Sequence, residues 1–354
     1  MDQPVQLIGP DGTTTAESRY RRDLPPETLV WLYENLVVTR DLDVEFVNLQ
    51  RQGELALYAS CRGQEAAQIG AAACLRKTDW LFPQFRELGV FLVRGIAPAQ
   101  VAALWRGAWH GGLDFTSKVL RTGRRSDRHQ HRARRGRGDG RATAGRGFTD
   151  RGFIGDGGAT SEGDTHEAMN LAAVEKAPCI FYIQNNQWAI SVPASRQYAV
   201  PTLAHRADGY GMPGIRVDGN DILACYAVMS EAAARARAGD GPTLIEAVTY
   251  RMEPHTTSDD ATRYRTAEEI AEWSARDPIA RYRTYLQQSG VLTERIEKRV
   301  QARSVRLRAE LRDAVVGAPD LDVGELFDHV YAEITPELSA QREQLRAELA
   351  GGTR

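Results

Sequence analysis

Apolar positions along the chain change their spacing twice, and the changes mark out its elements. Leu29, Leu32, Tyr33, Leu36, Leu42, Phe46 and Leu49 recur at helical spacing. They predict one amphipathic helix from Glu27 to about Gln52, stopped by Gly53. Gln64–Arg76 is Ala-rich and apolar nearly all round, the pattern of a buried helix. Phe82–Gly95 reads as a loop followed by a helix, and Ala97–His110 as another short helix. After Val119 and Leu120 the pattern stops. Residues 121–147 contain no Val, Ile, Leu, Met or Phe, so burial there cannot offset the entropy of ordering the backbone.

Order resumes at Gly152. Thr165–Lys176 has helical character, and Cys179–Gln184 is a short apolar run of the kind found in a buried parallel strand. Gly214–Val217 and Thr243–Val248 are further strands, with a helix over Asp221–Ala238 between them. This alternation predicts an α/β fold: a doubly wound, mostly parallel sheet flanked by helices. From about Thr266 the chain is mostly helical, and Leu292–Val315 is charged and surface-like. The expected organisation is an N-terminal arm over residues 1–26, ending in Pro25-Pro26, one domain over 27–330, and a helical tail over 331–354.

Composition narrows the class. The chain has 354 residues, 42% hydrophobic and 26% charged, enough apolar material for a sizeable core. No stretch approaches the roughly 20 apolar residues needed to span a bilayer. No apolar run near the N-terminus resembles a secretory signal. Cys61, Cys74, Cys179 and Cys225 are far apart and form no CxxC pair, which fits a reducing, cytoplasmic setting. The formal net charge of -2 hides an asymmetry. Residues 117–152 hold 12 of the 45 basic residues and only 3 of the 47 acidic ones.

Candidate chemistry gathers in Gly155-Asp156-Gly157-Gly158, with Asn185-Asn186 following and Asn186 thirty positions after Asp156. Glycines let a backbone approach a phosphate closely. The helix expected from Thr165 follows this loop and favours an anion near it. Asp156 is a hard oxygen ligand for Mg²⁺, and Asn186, at the end of a strand, supplies a second oxygen. Such loops lie at the carboxyl ends of parallel strands, where these folds bind ligands. Either motif alone is a common turn; the pairing, with a helix and a strand between, carries the reading. Asp156 to Asn186 also spans His166, but no second His or Cys stands at zinc-ligand spacing.

These residues resemble the thiamine-diphosphate motif, GDG followed by NN. GDGGATSEGDTHEAMNLAAVEKAP, QNNQWAISVPASRQY, GYGMPGIRVDGND and YRMEPHTTSDDATRYR look like the alpha subunit of the branched-chain 2-oxo acid dehydrogenase. The pyruvate dehydrogenase alpha subunit is second. The resemblance runs from about Leu29 to Thr116 and from about Gly152 to Leu286. It implies a thiamine-diphosphate-binding fold, and thiamine diphosphate with Mg²⁺ as cofactors. It further implies oxidative decarboxylation of a small 2-oxo acid, with acyl transfer to lipoyl groups on the core acyltransferase.

Residue by residue, the resemblance implies Mg²⁺ ligation by Asp156, the Asn186 side chain and the carbonyl of Trp188, where family members usually have Tyr. Gln84-Phe85-Arg86 matches the stretch that reaches the diphosphate, joined there by Gly155, Gly157 and Gly158. Arg86 offers it a bidentate fork. Ile190 looks like a contact of the aminopyrimidine ring. His255, in PHTTSDD, corresponds to a catalytic histidine on a mobile loop beside the cofactor. The resemblance also implies a heterotetramer of two alpha and two beta chains, in which the beta chain contributes the glutamate needed at the aminopyrimidine. Glu162 and Glu167 are therefore not assigned that role. Gln64–Arg76 and His166–Val174 are the candidate interface helices.

Two departures from the family stand out. One residue more than usual separates Asp156 from the following helix, at Gly157-Gly158-Ala159. Residues 117–151 are Arg/Gly-rich where the family has a cofactor-touching loop, a buried helix and the strand leading into GDG. Arg, Gly, Ala and Asp are what GC-rich DNA gives when read out of frame, so paired frameshifts would explain the segment. On that reading one central strand and one buried helix are lost, and the segment is exposed or disordered. A pseudoenzyme subunit is one alternative. A nucleic-acid binder working through the Arg/Gly tract is another, weakened because no aromatic residue interleaves the tract before Phe148.

Overall fold

A computed structural model describes residues 3–15, 19–107, 150–154, 157–320, 322–328 and 330–351. The first half contains α1 (Pro26–Arg51), α2 (Glu65–Ala73), β1 (Trp80–Phe82), α3 (Leu88–Val93) and α4 (Pro98–Arg106). After β2 (Asp150–Ile154) come the single turn α5 (Gly157–Thr160), α6 (Gly163–Val174) and β3 (Cys179–Asn185). A small ribbon of β4 (Trp188–Ala189) and β5 (Val192–Pro193) leads to α7 (Arg206–Tyr210), β6 (Gly214–Asp218), α8 (Ile222–Ala238) and β7 (Thr243–Val248). The rest is helical: α9 (Ala267–Ser274), α10 (Pro278–Gln288), α11 (Glu294–Val316), α12 (Glu325–Asp328) and α13 (Pro336–Ala350).

The main sheet has the order β1-β2-β3-β7-β6, and every neighbouring pair is parallel. All seven residues of β3 are buried, as a central strand covered on both faces requires. Its side chains alternate between two cores. Ile180 and Tyr182 join Ala67, Ala71, Ala224 and Val228 of α2 and α8. Cys179, Phe181 and Ile183 join Ala168, Met169 and Ala172 of α6 on the other side. The Tyr182 hydroxyl donates to the Ala67 carbonyl at 3.0 Å and so ties α2 to the sheet. Gly70 lets α2 and α8 approach closely: a Cβ there would stand 2.6 Å from the Ile222 carbonyl oxygen.

Several expectations need correction. β2 spans Asp150–Ile154 and pairs with β1 and β3 on either side, so a strand does lead into the glycine-rich loop and the sheet has not lost it. Asp150 and Arg151, assigned to the anomalous segment, belong to that strand, whose two partners supply a ladder that its composition did not advertise. Residues 117–149 lie outside the described residues. β1 is an addition: the apolar pattern assigns no element to Trp80 and Leu81 and reads Phe82 as the start of a loop. Helix α2 is buried from Glu65 to Ala72 within this one chain, which makes it core rather than a free interface. Helix α6 keeps an exposed end at Val174.

The arm is docked, not merely extended. Val5 exchanges main-chain hydrogen bonds with Arg216 and Asp218 at the edge of β6. The amides of Leu7 and Ile8 donate to Asp221 Oδ2 at 2.6 and 2.7 Å. At the other end of the chain, α11 lies against α1, where Arg308 and Arg312 meet the buried Glu45. Helix α13 has no buried residue.

A candidate cofactor site at the carboxyl ends of the strands

Four strands end at the same edge of the sheet, and each hands on to a segment singled out in the sequence. β1 leads to Gln84-Phe85-Arg86, β2 to the glycine-rich loop, β3 to Asn186, and β7 to Thr249 and the His255 loop. The register makes these ends neighbours: Ile154 pairs with Ile183, and Asn185 with Val248. Gly155 and Asp156 lie outside the described residues. Gly157 and Gly158 open the turn α5, which packs against Trp188–Ala189. The additional residue in this loop therefore falls within a turn of helix, and α6 starts at Gly163, two positions before the expected Thr165.

Asn186 is buried and its amide is held at both ends. Oδ1 accepts from the Trp188 amide at 3.2 Å, and Nδ2 donates to Gln64 Oε1 at 3.2 Å. Its carbonyl accepts from the Arg251 amide at 3.2 Å. An amide oxygen has two lone pairs, and among the described residues Oδ1 uses one. The Trp188 carbonyl is similarly placed. Trp188 and Pro193 form a non-hydrogen-bonded pair, next to the bond from the Ala194 amide to the Gln187 carbonyl, so the Trp188 carbonyl faces away from β5. These are two hard oxygens of the kind Mg²⁺ accepts.

On both sides of β4 the backbone is strained. Ile190 has φ 54 and Gln187 φ 72, a region that a β-branched residue such as Ile rarely enters. The Ile190 side chain is exposed, so packing does not impose the conformation. The fully buried Arg251 does: its Nη2 donates to the Ile190 carbonyl at 2.5 Å. Strain of this kind gathers at functional sites.

His255 lies half-buried between two guanidinium groups. Its Nδ1 is 3.3 Å from Arg86 Nη2 and 3.3 Å from Arg251 Nη1. Both neighbours can only donate, so Nδ1 is the acceptor and the ring proton sits on Nε2. Burial, reinforced by Arg86 and Arg251 and opposed by Asp259, pulls the imidazole down to about 4. Its main-chain amide is held by Asp259 Oδ2 at 2.9 Å. Phe85 is partly exposed and meets His255 edge-on, with ring centroids 6.2 Å apart.

Arg86 is more committed than its sequence context suggested. Nη1 donates to the Ser60 carbonyl at 2.6 Å and Nη2 to the His255 carbonyl at 2.8 Å. The fork thus grips protein, and what it offers an anion is charge beside the site. The segment it grips is itself anchored. Buried Asp43 accepts from the Tyr58 hydroxyl at 2.7 Å, the Ser60 hydroxyl at 2.5 Å and the Cys61 amide at 2.8 Å. Tyr58 then exchanges bonds with Thr257, and the Met252 amide donates to the Arg62 carbonyl. The His255 loop is therefore zipped at both ends to residues 58–62. Asp43, Gln64 and Arg251 were not foreseen as contributors. One signal for Asp43 was available, an acid between Leu42 and Phe46 on the apolar stripe of α1.

Residues 33–323 match the dehydrogenase E1 component family. The chain belongs to that family. Among E1 relatives, the 3-methyl-2-oxobutanoate dehydrogenase subunit alpha of Mycobacterium tuberculosis (strain H37Rv) is 67% identical over 348 residues, covering 98% of this chain and 95% of that protein. The pyruvate dehydrogenase E1 component subunit alpha of Acholeplasma laidlawii is 43% identical, over 93% of this chain and 95% of that one. Its counterpart in Staphylococcus epidermidis (strain ATCC 12228) is 39% identical, over 96% and 91%.

Proposed function

We propose that this chain is the alpha subunit of a branched-chain 2-oxo acid dehydrogenase, acting in the cytoplasm with a beta subunit in an α2β2 heterotetramer. The acyl group would pass to a lipoyl group on a core acyltransferase. The observation that carries the reading is the meeting of Asn186, Trp188, Ile190, Arg86 and His255 at the carboxyl ends of parallel strands, in a chain 67% identical to a 3-methyl-2-oxobutanoate dehydrogenase alpha subunit.

In this reading Asp156, the Asn186 side chain and the Trp188 carbonyl would hold Mg²⁺, which would supply positive charge to offset that of the diphosphate. Gly155, Gly157 and Gly158 bring backbone to the diphosphate, while Gln84, Phe85 and Arg86 flank it. Ile190, pressed outward by its strained turn, supports the aminopyrimidine. Thiamine diphosphate supplies the electron sink for loss of CO₂ from the 2-oxo acid. The chain's own contribution is to bind, orient and hold protons. His255 keeps a neutral ring with its proton at Nε2, so it presents a donor to an anionic oxygen without bringing a charge. Arg251 fixes both that tautomer and the Ile190 turn.

The test is the substrate profile of the chain coexpressed with its beta subunit, with thiamine diphosphate and Mg²⁺ present. The expected kcat/KM on 3-methyl-2-oxobutanoate exceeds that on pyruvate by at least about tenfold, the scale at which an apolar pocket distinguishes a methylene or two. A preference for pyruvate would place the chain with the pyruvate enzymes. No cofactor-dependent decarboxylation of either acid would overturn the reading.

A further inference from the structure

The two ends of the Asn186 amide are nearly alike in shape, so something must decide which of them faces a cation. The main chain decides one end. The Trp188 amide can only donate, and it lies 3.2 Å from Oδ1. Nδ2 must then point away, toward Gln64, whose Oε1 receives it at 3.2 Å. Gln64 is 1% exposed and precedes the first turn of α2. Its own backbone is locked to the strand ends. The adjacent Gly63 carbonyl accepts from Thr249 Oγ1 at 2.6 Å, and the Gly63 amide donates to Glu65 Oε2 at 2.9 Å. Gly63 has φ +91, and a Cβ there would come within 2.4 Å of the Tyr250 carbonyl oxygen. Two residues on, the Arg251 amide returns to the Asn186 carbonyl. Gln64 and Asn186 thus close a ring of bonds around the turn that follows β3.

We infer that Gln64 is a positioning residue for the metal site: by accepting from Asn186 Nδ2 it holds the Asn186 amide with its oxygen toward the cation. The inference rests on the reading of Asn186 as a Mg²⁺ ligand. Residues that orient a ligand typically change metal affinity by about 10–100-fold when removed. Gln64 allows a clean separation of that role from packing. Its Nε2 is buried and has no partner among the described residues, so only the oxygen works in this contact. Gln64→Glu keeps an acceptor and deletes the idle donor. Gln64→Met keeps length and apolar bulk and deletes the acceptor; Gln64→Leu does the same with a different shape.

The experiment is a calorimetric titration of Mg²⁺ into the chain coexpressed with its beta subunit, in saturating thiamine diphosphate. We expect Gln64→Met and Gln64→Leu to weaken Mg²⁺ binding about tenfold or more, and Gln64→Glu to stay within about threefold of the unsubstituted protein or bind more tightly. Thermal unfolding of the same samples reads packing separately. Unchanged affinity in a folded Met or Leu variant would overturn the inference, and so would equal weakening by Glu and Met. Absence of Mg²⁺-dependent binding in the unsubstituted protein would instead sink the reading of Asn186 itself, and this inference with it.

Discussion

The imidazole of His255 is flanked by Arg86 and Arg251, and that has a consequence for acid stability. The folded ring titrates at about 4, while an unfolded histidine titrates near 6.5. Between those values the unfolded chain binds a proton that the folded chain refuses. Stability therefore falls as pH drops through that window and is unaffected by this group above it. Carboxylates titrate in the same range, so the informative quantity is a difference. His255→Gln removes the imidazole. Urea unfolding measured from pH 7.5 to 4.5 should show the variant losing less stability than the unsubstituted chain, by roughly 1–2 kcal/mol after allowance for partial solvent screening. Parallel stability curves would show that burial and the two arginines do not hold the ring neutral. The same geometry keeps His255 a donor at Nε2 throughout the neutral range, so activity above pH 6 should not carry its titration.

At the scale of elements, α8 is capped by a carboxylate that does more than cap. Asp221 Oδ1 accepts from the amides of Leu223 and Ala224, the usual service at a helix start, typically about 1 kcal/mol. Its Oδ2 accepts from the arm at Leu7 and Ile8, and buried Arg281 lies 3.8 Å away. Asp221→Ala leaves these donors without a partner, while Arg281 keeps its pair with Asp218 at 2.9 Å. The expected loss is about 2–4 kcal/mol, more than that of an ordinary cap, with the arm released to proteolysis. A loss near 1 kcal/mol with the arm still protected would show that the bonds of Val5, Gln6 and the Ile8 carbonyl hold the arm without Asp221. Most elements around this cap were legible. The stripe from Leu29 to Leu49 and the run Cys179–Gln184 announced α1 and β3 because each buries its own apolar residues. β2 was not legible, because Asp150, Arg151 and Gly152 have little strand preference and are extended only through the partners on both sides. The candidate site divides in the same way. Asn186 and His255 sit inside motifs, whereas Gln64, Asp43 and Arg251 act through bonds to residues far away in sequence, which spacing along the chain does not encode.

For the whole molecule, the decisive question is whether one chain can complete the chemistry. A thiamine-dependent site needs a carboxylate against the aminopyrimidine. Three buried glutamates lie in or near the first-turn and strand segments that frame the site, and each is already engaged. Glu65 is bonded to Arg40 and the Gly63 amide. Glu246 receives Asn185 and the Ala204 amide. Glu87 receives Gln184 Nε2 at 2.7 Å. Glu167 is exposed on α6. Withdrawing any of the three buried groups would break a network that holds the fold. In the reading proposed above, the carboxylate is supplied by the beta chain, as the family resemblance implies. The purified single chain, given thiamine diphosphate, Mg²⁺ and 3-methyl-2-oxobutanoate, should release no CO₂ above background, and addition of separately purified beta subunit should restore release. Sustained decarboxylation by the single chain would mean that one of its own carboxylates leaves its network during turnover. Replacing Glu65, Glu87 and Glu246 in turn by Gln would then identify which one.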